Sequence, residues 1–221
     1  MKKSLLMLLA AAVVGAGVAP TDVEAAAKKK PVATKKKAPR AAKPVKAKKP
    51  RHGKQGASLD DAQHLAVQSS AALVLDQTTG AVLFEKNPDA VLPIASITKL
   101  MTAMVVLDAK PDLTETLAIG DEDVDVLKGT RSRLKVGTHL AREEMLRLAL
   151  MSSENRAASA LSRHYPGGRD AFVAAMNQKA QALGLSDTRF LDPTGLTAAN
   201  VSSPRDLAKM VDAAHQYPLI R

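Results

Sequence analysis

The chain has 221 residues, with 32 Lys+Arg against 22 Asp+Glu, five aromatic residues and no Cys or Trp. The absence of cysteine excludes a disulfide scaffold, a thiol nucleophile, a zinc-thiolate site and a lipid-modified N-terminal cysteine. Residues 1–54 hold 15 basic and 2 acidic side chains, net +13, whereas residues 55–221 hold 17 and 20, net −3; the high pI therefore does not describe a basic globular domain that grips nucleic acid.

Lys2 and Lys3 precede an uncharged apolar run from Leu5 to Ala19, and Val23-Glu24-Ala25 fits a small-x-small cleavage pattern. Residues 1–25 read as a secretory signal peptide of bacterial type, cut after Ala25. A run of about 15 residues is shorter than the ~20 a spanning helix needs, which argues against a membrane anchor. Residues 26–54 follow with eleven Lys, two Arg, four Pro and no acid. Like charges repel and prolines break helices, so this stretch is expected to be an extended tether. The linker is assigned to 26–67 and the domain to 68–221. Such a tether suits weak contact with anionic membrane headgroups or wall polymers. Export removes nucleic acid as a partner. No internal repeat is present.

Within the domain, Ala71–Asp76 and Ala81–Glu85 are apolar runs around the turn signal Thr78-Thr79-Gly80, predicting a β-hairpin. Ile97, Leu100, Met101, Met104 and Val105 recur at helical spacing, and Val106 and Leu107 widen the face, predicting a helix buried nearly all round. Asp121–Asp125 is acidic and reads as a loop. Further helices are predicted over Arg142–Met151, from Asn155 to before Pro166, over about 170–183 with Gly184 as the stop, and from Pro204 to about His215. Glu143 and Glu144 suit the positive end of the first of these. The 167 residues after residue 54 suffice for one domain with a core, and with so few aromatics that core must be aliphatic.

Two tetrads match Ser-x-x-Lys, Ser96–Lys99 and Ser132–Lys135, and about one match is expected by chance in a domain of this length. Context separates them. Ser132–Lys135 has no helical periodicity and reads as an exposed, charged strand or loop. Ser96 opens the buried helix, where three residues place it on one face with Lys99. Burial and the helix dipole both favour a neutral Lys99, the form a general base needs, with the Ser96 hydroxyl at hand. The alternative is an N-cap serine and a lysine that snorkels to solvent. Ser153-Glu154-Asn155 is the sole Ser-x-Asn. Ser153 could relay a proton to a leaving group; Asn155 could bind a substrate amide and the lysine ammonium. Alternatively, both merely cap helices. The five histidines show no pairing with Ser or acid and no metal-ligand spacing, so no metal or cofactor is expected. Asp192-Pro193-Thr194-Gly195 is a turn by composition.

Pro93-Ile94-Ala95-Ser96-Ile97-Thr98-Lys99-Leu100-Met101-Thr102-Ala103 resembles the nucleophile motif of the penicillin-binding serine D-alanyl-D-alanine peptidases. Leu150-Met151-Ser152-Ser153-Glu154-Asn155-Arg156-Ala157-Ala158 resembles their Ser-x-Asn motif, and Asp192-Pro193-Thr194-Gly195-Leu196 a landmark of the low-molecular-mass carboxypeptidase group. Glu154 and the run Gly129–Leu134 look most like the DD-endopeptidase branch. The resemblance implies an α+β fold of the β-lactamase/DD-transpeptidase type, an antiparallel sheet with a helical cluster. It also implies a mechanism: Ser96 as nucleophile, Lys99 as base, Ser153 as proton relay and Asn155 as substrate-binding residue. The implied substrates are peptidoglycan stem peptides or cross-links, with β-lactam antibiotics as acylating inhibitors and the periplasm as the location.

One departure stands out. The Lys-Thr-Gly motif of such enzymes has no counterpart here; Lys128-Gly129-Thr130 has the wrong order, and Pro193-Thr194-Gly195 lacks the ammonium. The sequence is therefore expected to be an incomplete copy of a longer enzyme, without the later sheet strands and the oxyanion-hole donor they carry. Two rival readings remain. A class A β-lactamase needs a Glu for deacylation, and no glutamate follows Asn155. The other is an inactive wall-binding or penicillin-binding protein.

Overall fold

The computed structural model describes residues 67–221. The signal peptide read at 1–25 and all but the last residue of the linker lie outside the described residues. Strands β1 (Ala72–Leu75) and β2 (Val82–Lys86) form the expected hairpin, in antiparallel register from Ala72 opposite Lys86 to Leu75 opposite Val82. The Asp76 carboxylate builds its turn by accepting from Thr78 N (2.9 Å) and Thr79 N (2.7 Å), and Gly80 closes it at φ +72°.

Two further antiparallel pairs are too short to show in the sequence. Strand β3 (Leu92–Pro93) pairs with β6 (Val201–Ser202), and β4 (Thr116–Ala118) pairs with β5 (His139–Ala141). Among the described residues every sheet has two strands.

Among the described residues five α-helices surround the hydrophobic core. Helix α1 (Thr98–Asp108) follows a 3₁₀ turn at Ala95–Ile97 and packs against all four others: α2 (Arg142–Met151), α3 (Asn155–Arg163), α4 (Gly168–Ala182) and α5 (Pro204–His215). Eight of the eleven α1 residues are buried, Lys99 among them, as the broad apolar pattern requires. The core is made of Met101, Met104, Met145, Leu146, Leu161, Phe172, Met176 and Met210, with three alanines of α3, Ala157, Ala158 and Ala160, letting backbones approach. Tyr165 meets Phe172 edge to face, with centroids 5.2 Å apart. Helix α2 starts with a Glu144 carboxylate that accepts from Ala141 N at 3.0 Å, and α5 with Ser203 Oγ accepting from Asp206 N, with Pro204 in the first turn. Hairpin strand β1 lies against α5.

Two expectations need correction. Helix α4 starts at Gly168, earlier than 170, because Gly167 in the left-handed region (φ +85°) turns the chain into it. The acidic run is not a plain loop. It contains a 3₁₀ turn at Asp121–Asp123 with Asp123 buried. That carboxylate accepts from Ser159 Oγ (2.7 Å), Arg163 Nη2 (2.8 Å) and Gly120 N (2.9 Å), so its charge is paired rather than solvated.

Candidate active site

Lys99 organises the site. Its Nζ donates to Ser96 Oγ at 3.0 Å, to Ser153 Oγ at 3.3 Å and to the Thr194 carbonyl at 2.8 Å. Three separate parts of the chain meet at one ammonium: the first turn of α1 and the 3₁₀ turn before it, the α2–α3 connection, and the Asp192–Gly195 turn. Lys99 is 3% exposed, whereas Ser96 and Ser153 are exposed. The amine is thus buried beneath two exposed serines.

Burial pushes Lys99 down to about 8, and the negative charges of Asp192 and Glu154 limit the fall. About a tenth of the lysine is then neutral at pH 7, far more than for an ordinary lysine. A neutral amine has two donors and one lone pair. The Thr194 carbonyl can only accept, so it holds one N–H and helps turn the lone pair toward the hydroxyls.

The turn that supplies this carbonyl is built by Asp192. Its Oδ1 accepts from Thr194 N (2.6 Å) and Gly195 N (2.7 Å), and its Oδ2 from Thr197 N (3.0 Å). Two residues fasten the turn to α1. Thr102 Oγ1 donates to Pro193 O at 2.6 Å. Asn200, fully buried, donates to Thr98 Oγ1 (3.1 Å) and Asp192 O (2.8 Å) and accepts from Leu191 N (2.7 Å) and Asp192 N (3.1 Å). Its amide is fully satisfied. Gly195, at φ +83°, lies flat against the Ala95 carbonyl, where any Cβ would clash. Backbone strain gathers at the same place. Ala95 (φ +46°) and Ser153 (φ +53°) are two of the four described non-glycine residues in the left-handed region, each costing of order 1–3 kcal/mol. One precedes Ser96 and the other is the second hydroxyl.

Ser96, Lys99 and Ser153 therefore lie together, and Asn155 stands at the start of α3 two residues beyond Ser153. The expectation that Asn155 holds the lysine ammonium is corrected. Its Nδ2 donates instead to Thr130 Oγ1 at 3.1 Å, and all three bonds of Lys99 go elsewhere. The second tetrad lies in the loop between the Asp121–Asp123 turn and β5, with Lys135 exposed; Ser132 Oγ accepts from Leu134 N at 3.0 Å. Sequence reasoning missed Thr194, Asn200 and Thr130. The first acts through its carbonyl, which every residue has, so no residue type signals it. Among the described residues no group of three His, Asp or Glu stands together as a metal site.

Residues 58–221 match the peptidase family S11 model, described as D-alanyl-D-alanine carboxypeptidase. The chain is similar to a Pseudomonas aeruginosa D-alanyl-D-alanine endopeptidase, 57% identical over 152 residues, covering 69% of this chain and 49% of that protein. An Escherichia coli D-alanyl-D-alanine endopeptidase is 52% identical over 154 residues, covering 70% and 50%. A solved Streptomyces DD-transpeptidase superposes with a TM-score of 0.63 at 30% identity, covering 67% of this chain and 61% of that one. The chain thus spans about half the length of the curated relatives it matches. The α+β fold is that of the DD-transpeptidases, and the sequence sits nearest the endopeptidase branch. With the Ser96–Lys99–Ser153 cluster inside the matched region, the chain belongs to the D-alanyl-D-alanine carboxypeptidase family of serine peptidases.

Proposed function

We propose that this protein hydrolyses D-alanyl peptide bonds of peptidoglycan through an acyl-enzyme. Ser96 Oγ attacks the carbonyl of a D-alanyl residue while its proton passes to the neutral Lys99 Nζ. The C–N bond then breaks, and the proton reaches the leaving amine from Lys99 by way of Ser153. Water adds to the ester, the C–Oγ bond breaks and Ser96 regains a proton. The observation that carries this reading is the buried Nζ lying 3.0 Å from Ser96 Oγ and 3.3 Å from Ser153 Oγ, within proton-transfer reach of both. The endopeptidase names of the Pseudomonas and Escherichia relatives support stem-peptide cross-links as substrate. β-Lactams acylate the same serine.

The remaining features fit a life in the periplasm, with a part in wall biogenesis and cell shape. Residues 1–25 direct export, and the basic linker touches anionic headgroups or wall polymers weakly and in a salt-sensitive way. A reporter fused to residues 1–54 is then found outside the cytoplasm; its retention inside overturns the localisation.

The experiment for the chemistry is prolonged incubation of the chain with benzylpenicillin, followed by peptide mass spectrometry. The expected adduct is on Ser96. No adduct, or one on Ser132, overturns the assignment. A second reading, penicillin binding without turnover, needs only the Ser96 hydroxyl beside the Lys99 amine. Release of free stems from purified cross-linked muropeptides separates the two: cleavage supports the peptidase, and a lasting adduct without cleavage supports the binder.

A further inference from the structure

Asp125, Thr130 and Asn155 form a hydrogen-bonded relay beside the Lys99 site. The Asp125 carboxylate closes the loop that follows it. Its Oδ1 accepts from Leu127 N (2.8 Å) and Lys128 N (3.0 Å), and its Oδ2 from Thr130 N (2.9 Å) and Thr130 Oγ1 (2.6 Å). Desolvation opposes the charge, but the bonds from Thr130, Lys128 and Leu127 outweigh it and hold the carboxyl far below its usual range. Asp125 is therefore an acceptor only.

A hydroxyl has one proton. Thr130 gives it to Asp125, so toward any other neighbour Thr130 Oγ1 can only accept. The Asn155 atom 3.1 Å away must therefore be Nδ2 and not Oδ1. The network thus decides which way round this amide sits. One N–H is used on Thr130. The second N–H and Oδ1 have no hydrogen-bond partner among the described residues. What remains is one donor and one acceptor, the complement of a peptide group.

The bond also joins two separate elements, since Thr130 is on a loop and Asn155 opens α3. Thr130 is exposed, so the contact buries nothing and its use is orientation. We propose that Thr130, held by Asp125, is a positioning residue that sets the Asn155 amide so that Oδ1 and the free N–H meet the amide of a bound substrate. This rests on the serine-peptidase reading above, and the test separates the two.

Two acylating probes differ in the group at stake. Benzylpenicillin carries an acylamino side chain, whereas 6-aminopenicillanic acid has a free amine there. Thr130→Val keeps the shape and removes the hydroxyl. It should lower the ratio of the two Ser96 acylation rates, benzylpenicillin over 6-aminopenicillanic acid, about tenfold, the scale of one lost hydrogen bond. Thr130→Ser should restore the ratio. In an Asn155→Ala background, Thr130→Val should change it less than twofold, since the effect passes through Asn155. The Asn155 side-chain NH₂ in ¹⁵N–¹H NMR gives a readout independent of acylation: one proton shifted and slow to exchange in the wild type and Thr130→Ser, and lost in Thr130→Val. If wild type acylates and the ratio is unchanged in Thr130→Val, or if the NH₂ signals are alike in all three proteins, the positioning role is wrong. If wild type acylates neither probe, the peptidase reading falls, and the NMR comparison alone decides whether Thr130 orients the amide.

Discussion

The chain holds the Ser-x-x-Lys pattern twice, and the fold gives the two copies different surroundings. In Ser96–Lys99 the lysine lies 3% exposed in the first turn of α1, bonded to two hydroxyls and a carbonyl. In Ser132–Lys135 the lysine is exposed and the serine hydroxyl is turned onto the backbone of its own loop, at Leu134. A serine and lysine three apart become a nucleophile and base only where packing removes water from the ammonium and where a rigid helical turn fixes their separation. The core that buries α1 supplies both conditions. A polar loop supplies neither.

The strongest way to break this comparison is to remove the nucleophile from the buried copy. Ser96→Ala should lower penicillin acylation by at least about 10⁴-fold, since it removes the hydroxyl 3.0 Å from Lys99 Nζ and leaves Ser153, at 3.3 Å, as the one other exposed hydroxyl on that amine among the described residues. Rapid labelling of this variant at another residue would show that the two tetrads are less different than their surroundings suggest. Lys99→Met should cost about 10²–10⁴ in acylation rate, the usual range for a general base. Burial leaves Lys99 at about 8, so wild-type acylation should rise with pH and level off above that value. A profile without this limb would remove Lys99 as the base.

The same shift has a consequence for stability. In the unfolded chain the lysine returns to 10.5. Between about 8 and 10.5 the unfolded state binds more protons than the native one, so stability rises with pH across that window through this group. Below both values the penalty is present in full, on the order of 3 kcal/mol. Thermal melts of wild type and Lys99→Met at pH 7.5 and pH 10.5 should differ in their gap, with the wild type gaining on the variant at the higher pH. A constant gap would mean that the buried ammonium is not strained by its surroundings.

Much of this architecture was legible in the sequence. Helices α2, α3 and α5 start where Arg142, Asn155 and Pro204 suggest, because a long periodic apolar face leaves few alternatives. Ser96 and Lys99 were legible because helical geometry alone brings residues three apart together. The β3–β6 pair was not, since two residues per strand carry no period. Nor was the burial of Asp123, whose partners Ser159 and Arg163 come from a distant helix. Asn200 gave no sign of clamping the Asp192 turn to α1, because its four bonds go mostly to backbone groups. The sequence points Asn155 at a substrate amide and at the lysine, and only the fold reveals Thr130 as its partner.

A smaller effect is expected from the turn that backs the nucleophile, and two glycines sharpen it. Gly195 (φ +83°) and Gly80 (φ +72°) have similar backbones, but a Cβ on Gly195 would run into the Ala95 carbonyl while one on Gly80 meets nothing within 4 Å. Gly80→Ala should cost about 1 kcal/mol, the penalty of the left-handed region. Gly195→Ala adds an overlap with backbone and should cost at least about 2 kcal/mol by denaturant unfolding. It should also slow Ser96 acylation, because Ala95 directly precedes the nucleophile. Equal costs at the two sites would show that the turn yields freely and does not brace Ser96.

The smallest effect should come from the second tetrad itself. Lys135 is exposed, and its side chain makes no hydrogen bond among the described residues. Replacing it with alanine removes a solvated charge, which usually changes stability by under about 0.5 kcal/mol. Ser132 contributes more to its loop, since its hydroxyl accepts from Leu134 N at 3.0 Å. The Leu134 carbonyl nearby is also bonded by Arg156 Nη1 at 2.7 Å, and Arg156 follows Asn155 directly. Ser132→Ala therefore loosens a segment that touches the start of α3 without touching Lys99. The double variant Ser132→Ala, Lys135→Ala should acylate Ser96 within about twofold of the wild-type rate, and any residual slowing should come from the serine alone. That would place the cost in loop order and not in proton transfer. A hundredfold loss, or a loss that follows Lys135, would mean that the exposed copy takes part in the chemistry and that burial is not what separates the two.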